Sequence, residues 1–434
     1  MMSPATTLAS TARPTGQLAS VSRVASRPRS SLVAACTASL HGGLHRNHRS
    51  KAPTSKASPK ELEYLSNSSF ELEGDLTTGP DYHIVQRNLA LEIVRVTEAA
   101  ALAAGKWQGK GDKNAADQAA VDMMRKVLNT IKMDGTIVIG EGEKDEAPML
   151  YCGEHVGDGS YPQVDIAVDP LDGTSLTATG RDGAIAVIAV AERGALYDPG
   201  PCMYMEKLVV GPEVLPHSVS LKYSTKRNLM AVAEAQRKSI SEVTAVILDR
   251  PRHEKLIQEV RDAGARIRLI SDGDVAASIE VCRPDSSVDI LLGVGGTPEG
   301  VISAAAMKCM GGTMQGRLWP RNDEERVKAV EQGYELEDIL FVEDLCGGEQ
   351  VFFAATGVTD GNLLEGVRYF GGGATTNSIV MRAESGTGES EPSVALPQSF
   401  RVVMLSARVE TVETREAERK AETDLAVTIR KNIY

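Results

Sequence analysis

The sequence predicts an α/β protein whose first part is a mixed α+β region and whose second part alternates strands and helices. Apolar residues recur at helical spacing over 87–106 and again over about 115–131, after which the pattern changes to short β-branched runs. From residue 241 onward, strand-like and helix-like segments alternate, which is typical of a largely parallel sheet. A chain of 434 residues is long enough for two such domains.

The first region, 84–238, begins with the two helices and continues as strands. Gly105 ends the first helix, and the loop KGDKN supplies capping residues before the second. Strand-like runs then follow in the order TIVIG, VDIAVD, AIAVIAVAE and MYMEKLVVG. We therefore expect a sheet with helices packed on it.

The second region, 239–385, contains the alternating pattern. Its segments are VTAVILD, HEKLIQEVRDAG, RIRLIS, VAASIEVC, VDILLGVGG and PEGVISAAAMKCM. Ligand groups are expected in the loops that follow the strands of such a sheet. Strands at EQVFFAATGV and around FGGGATTN complete the region, SGTGESEPS is expected to be a polar surface loop, and 386–434 is expected to be a C-terminal extension.

The N-terminal segment, 1–58, is expected to be a disordered transit peptide. Residues 1–60 contain nine Lys or Arg and no Asp or Glu, and a segment rich in Ser, Ala, Thr and Arg is typical of organelle targeting. The Ser and Thr content favours a plastid, and hence the chloroplast stroma, over a mitochondrion. An ordinary disordered tail is the alternative.

Composition excludes several other classes of protein. Residues 61–434 carry a net charge of −21, against −12 for the whole chain, which argues against binding to nucleic acid. There is no run of about 18 uninterrupted apolar residues, so no membrane span is expected. The six cysteines lack C-x-x-C spacing and paired histidines, which argues against a zinc site or a disulfide framework.

Two strand-like runs end in acid-rich turns. In DPLDGT, Pro170 is expected to end the strand and Gly173 to permit the turn, which brings together Asp169, Asp172 and the Thr174 hydroxyl. These groups suit a divalent cation and a phosphate, whereas an Asx turn is the simpler alternative. A second such turn, GEGEKDE, follows another strand and favours a shared metal site.

Seven segments, in order, closely resemble those of class II fructose-1,6-bisphosphatases, within the lithium-sensitive, metal-dependent sugar-phosphatase superfamily. They are GDKNAAD, IVIGEGEKDEAPML, VDPLDGT, MYMEKLVVGP, DRPRH, SDGDVAAS and GVGGTPEG, and the resemblance covers about residues 87–382. It implies a layered α-β-α-β-α sugar-phosphatase fold, with two sheets and helices between and outside them. Asp172, where many bacterial relatives have glutamate, resembles the cyanobacterial form that acts on both fructose 1,6-bisphosphate and sedoheptulose 1,7-bisphosphate.

The resemblance implies a site for Mn²⁺ or Mg²⁺ built from oxygen ligands. Asp117 and Glu141 would hold one cation, and Asp169, Asp172 and Glu299 would hold another. Taken singly, the acids that begin helices, Asp117 and Glu299, could instead complement the helix dipole.

The resemblance also implies how substrate is bound and attacked. Thr174, oriented by Asp145, would position the attacking water, and Lys113 would face the reactive phosphate. Substrate contacts are implied for Asp172, Gly173, Thr174, Tyr204, Arg250, Pro251, Arg252, Asp272, Gly273, Asp274 and Gly296. By residue type alone, the arginines of DRPRH could fork onto a phosphate. The tyrosine of MYMEKL could equally be a core residue, and the glycines of GVGG could serve helix packing or a dinucleotide loop.

These roles imply hydrolysis of the C1 phosphate of both sugar bisphosphates, in the Calvin cycle of a plastid or in gluconeogenesis, by a homotetramer or homodimer. The main alternative is a phosphatase of the same superfamily that acts on inositol monophosphate or a phosphoadenosine nucleotide, although neither substrate needs DRPRH and SDGD. A dinucleotide-binding oxidoreductase would need a G-x-G-x-x-G motif that is lacking. A non-catalytic regulator would not need the acidic ligands.

Replacement of Asp145 by asparagine tests its predicted role. We expect Asp145→Asn to leave folding and substrate binding largely intact and to lower turnover by about 10²-fold or more, because the carboxylate is expected to orient the hydroxyl that positions water. Steady-state phosphate release measures this effect. Turnover close to that of the wild type would remove Asp145 from the mechanism.

Overall fold

The computed structural model describes residues 89–142, 149–371, 373–384, 401–411 and 425–431. The expected transit peptide, the polar loop at 385–393 and Asp145 lie outside the described residues. None of the described helices is long and apolar enough to cross a membrane.

The described residues form nine α-helices and fifteen strands. The helices are α1 Leu89–Ala104, α2 Lys113–Leu128, α3 Thr174–Thr179, α4 Thr225–Ala235, α5 Glu254–Asp262, α6 Asp274–Val281, α7 Thr297–Met310, α8 Asp323–Glu331 and α9 Val342–Leu345. The strands are β1 Asp134–Ile139, β2 His155–Val156, β3 Gln163–Asp172, β4 Ile185–Glu192, β5 Tyr204–Val210, β6 Thr244–Leu248, β7 Arg266–Ile270, β8 Ile290–Gly296, β9 Thr313–Leu318, β10 Leu340–Phe341, β11 Gln350–Gly357, β12 Arg368–Phe370, β13 Gly373–Glu384, β14 Arg401–Thr411 and β15 Leu425–Lys431.

The strands form two sheets. The first has the order β15-β14-β13-β11-β4-β3-β1-β2, with β12 paired to β13, and the second has the order β10-β9-β5-β8-β6-β7. In the second sheet β6 pairs in parallel with β7 and β8, but β5 pairs antiparallel with β8 and β9. The expectation of a largely parallel sheet therefore holds only for its β7-β6-β8 half, because β5 enters between β8 and β9.

Sheet membership does not follow the region boundaries expected from the sequence. Strand β5, from the first region, lies in the second sheet, and β11 and β13, from the second region, return to the first sheet. Strands β14 and β15, in the expected C-terminal extension, also pair into the first sheet. The chain thus passes from one sheet to the other and back.

Helices cover both sheets and separate them. Helix α7 contacts β3, β4 and β11 of the first sheet and β5, β8 and β9 of the second, so it lies between them. Helices α1 and α2 share a core with the outer face of the first sheet, and α4 and α5 share one with the second. The predicted layered α-β-α-β-α architecture is confirmed.

Central strands are apolar on both faces because both faces are covered. In β4, Val187 and Ala189 face the core between the sheets, while Ile188 and Val190 face α1 and α2. This arrangement explains the nearly unbroken apolar run IAVIAVA, which is typical of a strand buried on both faces.

Strand β3 was predicted to end at Pro170, and this prediction is wrong. It continues to Asp172, and its pairing with β4 shifts register between Asp169 and Asp172. A proline is tolerated at such an irregularity because the ladder does not need its missing N–H there. The Leu171 N–H donates to Asp169 Oδ1 at 3.0 Å, so an Asx-type contact forms within the strand.

The core between the sheets can be tested at β11. Phe353 is fully buried there, so we expect Phe353→Ala to lower the free energy of unfolding by about 3–5 kcal/mol, through lost burial and the cavity left behind. Denaturant unfolding measures this change. Phe341 is 46% exposed, so Phe341→Ala should change stability by no more than about 0.5 kcal/mol. Equal effects would contradict the assigned core.

Candidate active site

Two neighbouring strands carry carboxylates to one edge of the first sheet. Strands β1 and β3 pair in parallel, with Ile139 opposite Ala167, so their carboxyl ends lie side by side. Glu141 follows β1, and Asp169 and Asp172 end β3. The sheet thus delivers three of the predicted metal ligands to one place.

Two helices add the remaining predicted ligands. Asp117 lies in the first turns of α2, which Asp112 caps by accepting a hydrogen bond from the Ala115 N–H at 3.0 Å. Glu299 lies in the first turn of α7, directly after Gly296 and the end of β8. A Cβ at Gly296 would lie 1.7 Å from Glu299 Oε2. The Glu299 carboxylate therefore folds back against the backbone at Gly296.

The predicted ligands influence one another's pKa. Burial, with the charges of Asp117 and Glu299, raises the pKa of Glu141 from 4.5 to about 7. Burial, with the charges of Asp172, Glu299 and Glu141, raises the pKa of Asp169 well above its ordinary value. Each predicted ligand acts on at least one other, as expected when like charges share a site with little solvent.

The same carboxylates have spare acceptor oxygens. Asp172 Oδ2 and Glu299 Oε2 are buried and have no hydrogen-bond partner among the described residues. An unpartnered buried carboxylate oxygen is unfavourable unless a cation or donor reaches it, and hard oxygen donors are those that Mn²⁺ and Mg²⁺ prefer. Within the described ranges, no group of three or more His, Cys, Asp or Glu side chains is arranged so that it could hold a metal ion. The two unpartnered carboxylate oxygens are nevertheless of the chemical type that a divalent cation binds.

The second sheet contributes a further acidic group and one lysine. Asp272 and Asp274 follow β7, at the start of α6, and Gly273 between them has φ 81°. Lys207 Nζ lies 2.7 Å from Asp274 Oδ2, and the lysine side chain is 1% exposed. Lys207 was not predicted as a site residue, because the sequence marks it only as a lysine inside the apolar run of β5.

The DRPRH turn is held in place by its histidine. His253 is buried between β6 and β8: its Nδ1 contacts the Leu248 carbonyl and the Val294 N–H donates to Nε2, both at 2.7 Å. The second contact requires a proton on Nδ1, and burial lowers the pKa of His253. A neutral imidazole thus pins the turn that carries Arg250 and Arg252.

The two arginines lie at the edge of the acidic group. Arg250 lowers the pKa of Asp272 by its charge, against the larger raising effect of burial. Arg252 donates twice to the Val294 carbonyl, at 3.1 and 2.7 Å, and is exposed. Pro251 between them is also exposed. The turn therefore presents positive charge to solvent beside the carboxylates.

Tyr204 is not a plain core residue. It pairs with Gly296 across β5 and β8 and is partly exposed. The Arg252 and Arg321 guanidinium carbons lie 5.2 and 5.7 Å from its ring centroid, and Trp319 packs edge-on at 6.4 Å. Arg321 and Trp319 were not predicted, because the loop between β9 and α8 that contains them has no motif that marks them.

The remaining predicted residues are placed less closely. Gly173 has φ 98°, a left-handed conformation that favours glycine, and Thr174 begins α3 two residues after Asp172. Lys113 begins α2 and is exposed. Among the described contacts, none joins Lys113 to the carboxylates. Asp145 lies outside the described residues.

The layered sheets and the convergent carboxylates at their edges define a phosphatase of the layered α/β class. A model of the family described as bacterial fructose-1,6-bisphosphatase, glpX-encoded, matches residues 87–390. The fructose-1,6-bisphosphatase 1 class 2 of Escherichia coli strain K12 is 49% identical over 316 residues, which cover 70% of this chain and 94% of that protein. The class 2 enzymes of E. coli O6:H1 and Shigella flexneri match equally. The chain belongs to the class II, glpX-type fructose-1,6-bisphosphatase family, which confirms the family resemblance found in the sequence, whereas the resemblance to the cyanobacterial dual-activity form stays a prediction.

The raised pKa of Glu141 predicts a pH dependence of the metal-free protein. Between 4.5 and about 7 the folded state keeps a proton on Glu141 that the unfolded state has lost. The free energy of unfolding contributed by this group therefore falls as pH rises through that window and levels off above it.

The measurement is the difference in stability between the wild type and Glu141→Gln, by chemical unfolding at several pH values with chelator present. The comparison removes the opposite slope expected from His253, whose pKa is lowered from 6.5 by burial. A stability difference that rises with pH between 4.5 and 7 would contradict the assigned environment of Glu141.

Proposed function

We propose that this protein hydrolyses the C1 phosphate of fructose 1,6-bisphosphate with the help of divalent cations. The observation that supports the proposal most is the group of mutually repelling carboxylates, with two unpartnered buried oxygens, in a member of a fructose-1,6-bisphosphatase family. The E. coli relative at 49% identity has that activity in its name.

Mn²⁺ or Mg²⁺ would be held by Asp117 and Glu141 on one side and by Asp169, Asp172 and Glu299 on the other. When bound, such ions neutralise phosphoryl oxygens and lower the pKa of water. The proposed ligands come from α2, from α7 and from the ends of β1 and β3. The protein therefore supplies positioned oxygen ligands.

The protein's own residues bind and orient the sugar. Arg250 and Arg252 can fork onto the distal phosphate, and the half-buried Tyr204 lies between the Arg252 and Arg321 guanidiniums. Asp272 and Asp274 present acceptors to the sugar hydroxyls. Thr174, next to Asp172, is the hydroxyl placed to position the attacking water, with Asp145 as its partner and Lys113 at the reactive phosphate.

The second substrate, the cellular location and the oligomeric state are proposed from the sequence. Asp172, in place of glutamate, supports a second activity on sedoheptulose 1,7-bisphosphate, as in the cyanobacterial enzymes that it resembles. The acid-free N-terminal segment supports import into the chloroplast stroma, where both activities serve the Calvin cycle. Assembly into a homotetramer or homodimer is proposed by resemblance to the family.

A substrate panel tests the proposal. Residues 59–434 are purified, and phosphate release is measured from both sugar bisphosphates, inositol monophosphate and a phosphoadenosine nucleotide, with Mn²⁺, with Mg²⁺ and with chelator. We expect activity on the sugar bisphosphates that chelator abolishes. Faster release from inositol monophosphate or the nucleotide would favour the alternative phosphatases, and activity unaffected by chelator would refute a metal-dependent reaction.

Two aspartates of helix α2 provide a matched test of the metal ligands. Asp117→Asn should lower kcat/KM by about 10²-fold or more and weaken Mn²⁺ binding, because it removes a charged oxygen ligand. Asp122, exposed and hydrogen-bonded only along the helix to Gln118 at 2.8 Å, should tolerate the same change. Kinetics and Mn²⁺ titration calorimetry distinguish the two variants, and equal effects would exclude Asp117 as a ligand.

A further inference from the structure

Lys207 is the most deeply buried charged side chain near the site. It lies in the middle of β5, is 1% exposed, and its neighbours Met205 and Leu208 are fully buried. Its ammonium lies 2.7 Å from Asp274 Oδ2. A lysine is almost never fully buried without a partner, and Asp274 is the partner that the structure supplies.

The Lys207–Asp274 pair lies against the turn that carries Glu299. A Cβ at Gly295 would lie 2.1 Å from Asp274 Oδ2 and 3.1 Å from Lys207 Nζ, and one at Gly300 would lie 3.3 Å from Lys207 Cε. These glycines flank Glu299, so the lysine side chain passes under the turn that carries this carboxylate. The absence of side chains at both positions leaves room for the ion pair.

The ammonium of Lys207 lies close to one predicted metal ligand. The residue that follows Glu299 on α7 is Gly300, and a Cβ there would lie 3.3 Å from Lys207 Cε. The positive charge of Lys207 is therefore next to the turn that carries the Glu299 carboxylate.

A buried ion pair of this kind is a poor source of stability. Removing two charges from water is about as unfavourable as their attraction is favourable, and apolar replacements are often neutral or stabilising. Core packing alone therefore does not explain a lysine at this position in an apolar strand, whereas a role at the neighbouring acidic site explains it.

We propose that Lys207 is a positioning residue: its ammonium fixes the Asp274 carboxylate toward the sugar hydroxyls and supplies a permanent positive charge beside the turn that carries Glu299. This inference rests on the proposed function, because Asp274 is a substrate contact only if the substrate is a sugar phosphate. Lys207 itself does not touch substrate.

The test replaces Lys207 by methionine, an unbranched side chain that fills a similar space. In the full chain, we expect KM for fructose 1,6-bisphosphate to rise about tenfold or more while kcat changes by less than about threefold, as for a lost interaction made equally in the ground and transition states. Mn²⁺ should bind about threefold or more tightly by calorimetry, because a positive charge next to its ligands has been removed.

Lys238 provides the matched control. It pairs with Asp289, which precedes β8 at the end of the strand opposite Gly296, and it is 29% exposed. Lys238→Met breaks a Lys–Asp pair of the same sheet without touching the site, so KM and Mn²⁺ affinity should stay within about twofold of wild type. If the KM and Mn²⁺ affinity of Lys207→Met equal those of Lys238→Met, the inference is overturned.

A double substitution keeps the test informative if Lys207→Met folds poorly. Lys207→Met with Asp274→Asn removes both charges of the pair and should fold more stably than the single Lys207 variant, which leaves the Asp274 carboxylate without its partner. Its KM should equal that of Asp274→Asn alone, because Lys207 acts on the sugar through Asp274. A KM raised further by the product of two independent effects would overturn the positioning role.

The Mn²⁺ titration separates this inference from the proposed function. It needs no substrate, so it gives a result even for a protein that hydrolyses no fructose 1,6-bisphosphate. An unchanged or weaker Mn²⁺ affinity in Lys207→Met overturns the inference, whereas inactivity of the wild type on sugar bisphosphates refutes the proposed function alone.

Discussion

Repulsion between carboxylates at one edge of the first sheet is the constraint on which the rest of the structure depends. Parallel β1 and β3 bring Glu141 and Asp169 to adjacent strand ends, and the start of α7 brings Glu299 to the same place. Burial raises the pKa of all three, and the charges of neighbouring carboxylates add to the rise in each, those of Asp274 and Asp272 in the case of Glu299. Such a group is stable only with protons or cations, so the architecture that assembles it also requires a positive partner.

Helix α7 is the element that makes the group possible. It contacts strands of both sheets, so its N-terminus lies where β8 of the second sheet faces the strand ends of the first. The helix is apolar around much of its circumference because it is buried between the sheets. Burial of the helix keeps Glu299 in place despite the repulsion from neighbouring carboxylates. The apolar core therefore balances the unfavourable charge of the site.

Local patterns predicted the elements well and their pairing less well. The limits of α1 and α2 differ from the predicted ones by a few residues. Short-range sequence sets both these helix limits and the positions of the carboxylates at strand ends. Long-range pairing is not written in a local pattern, so the antiparallel entry of β5 between β8 and β9 and the return of β11 to the first sheet were not predicted. Pro170 was taken for a strand end because its partner strand was unknown. Lys207 was read only as part of an apolar run, since its role depends on Asp274, 67 positions away.

The positive charge that such a site needs can come from a fixed side chain or from an exchangeable ion, and the two have different consequences. A site neutralised only by lysines would have no affinity left for divalent ions, and one neutralised only by metals would lose its balance whenever they dissociated. Here the ammonium of Lys207 pairs with Asp274 beside the turn that carries Glu299, while Asp172 Oδ2 and Glu299 Oε2 have no partner among the described residues. One fixed cation among several carboxylates leaves the site with a net negative charge and reduces the repulsion between them.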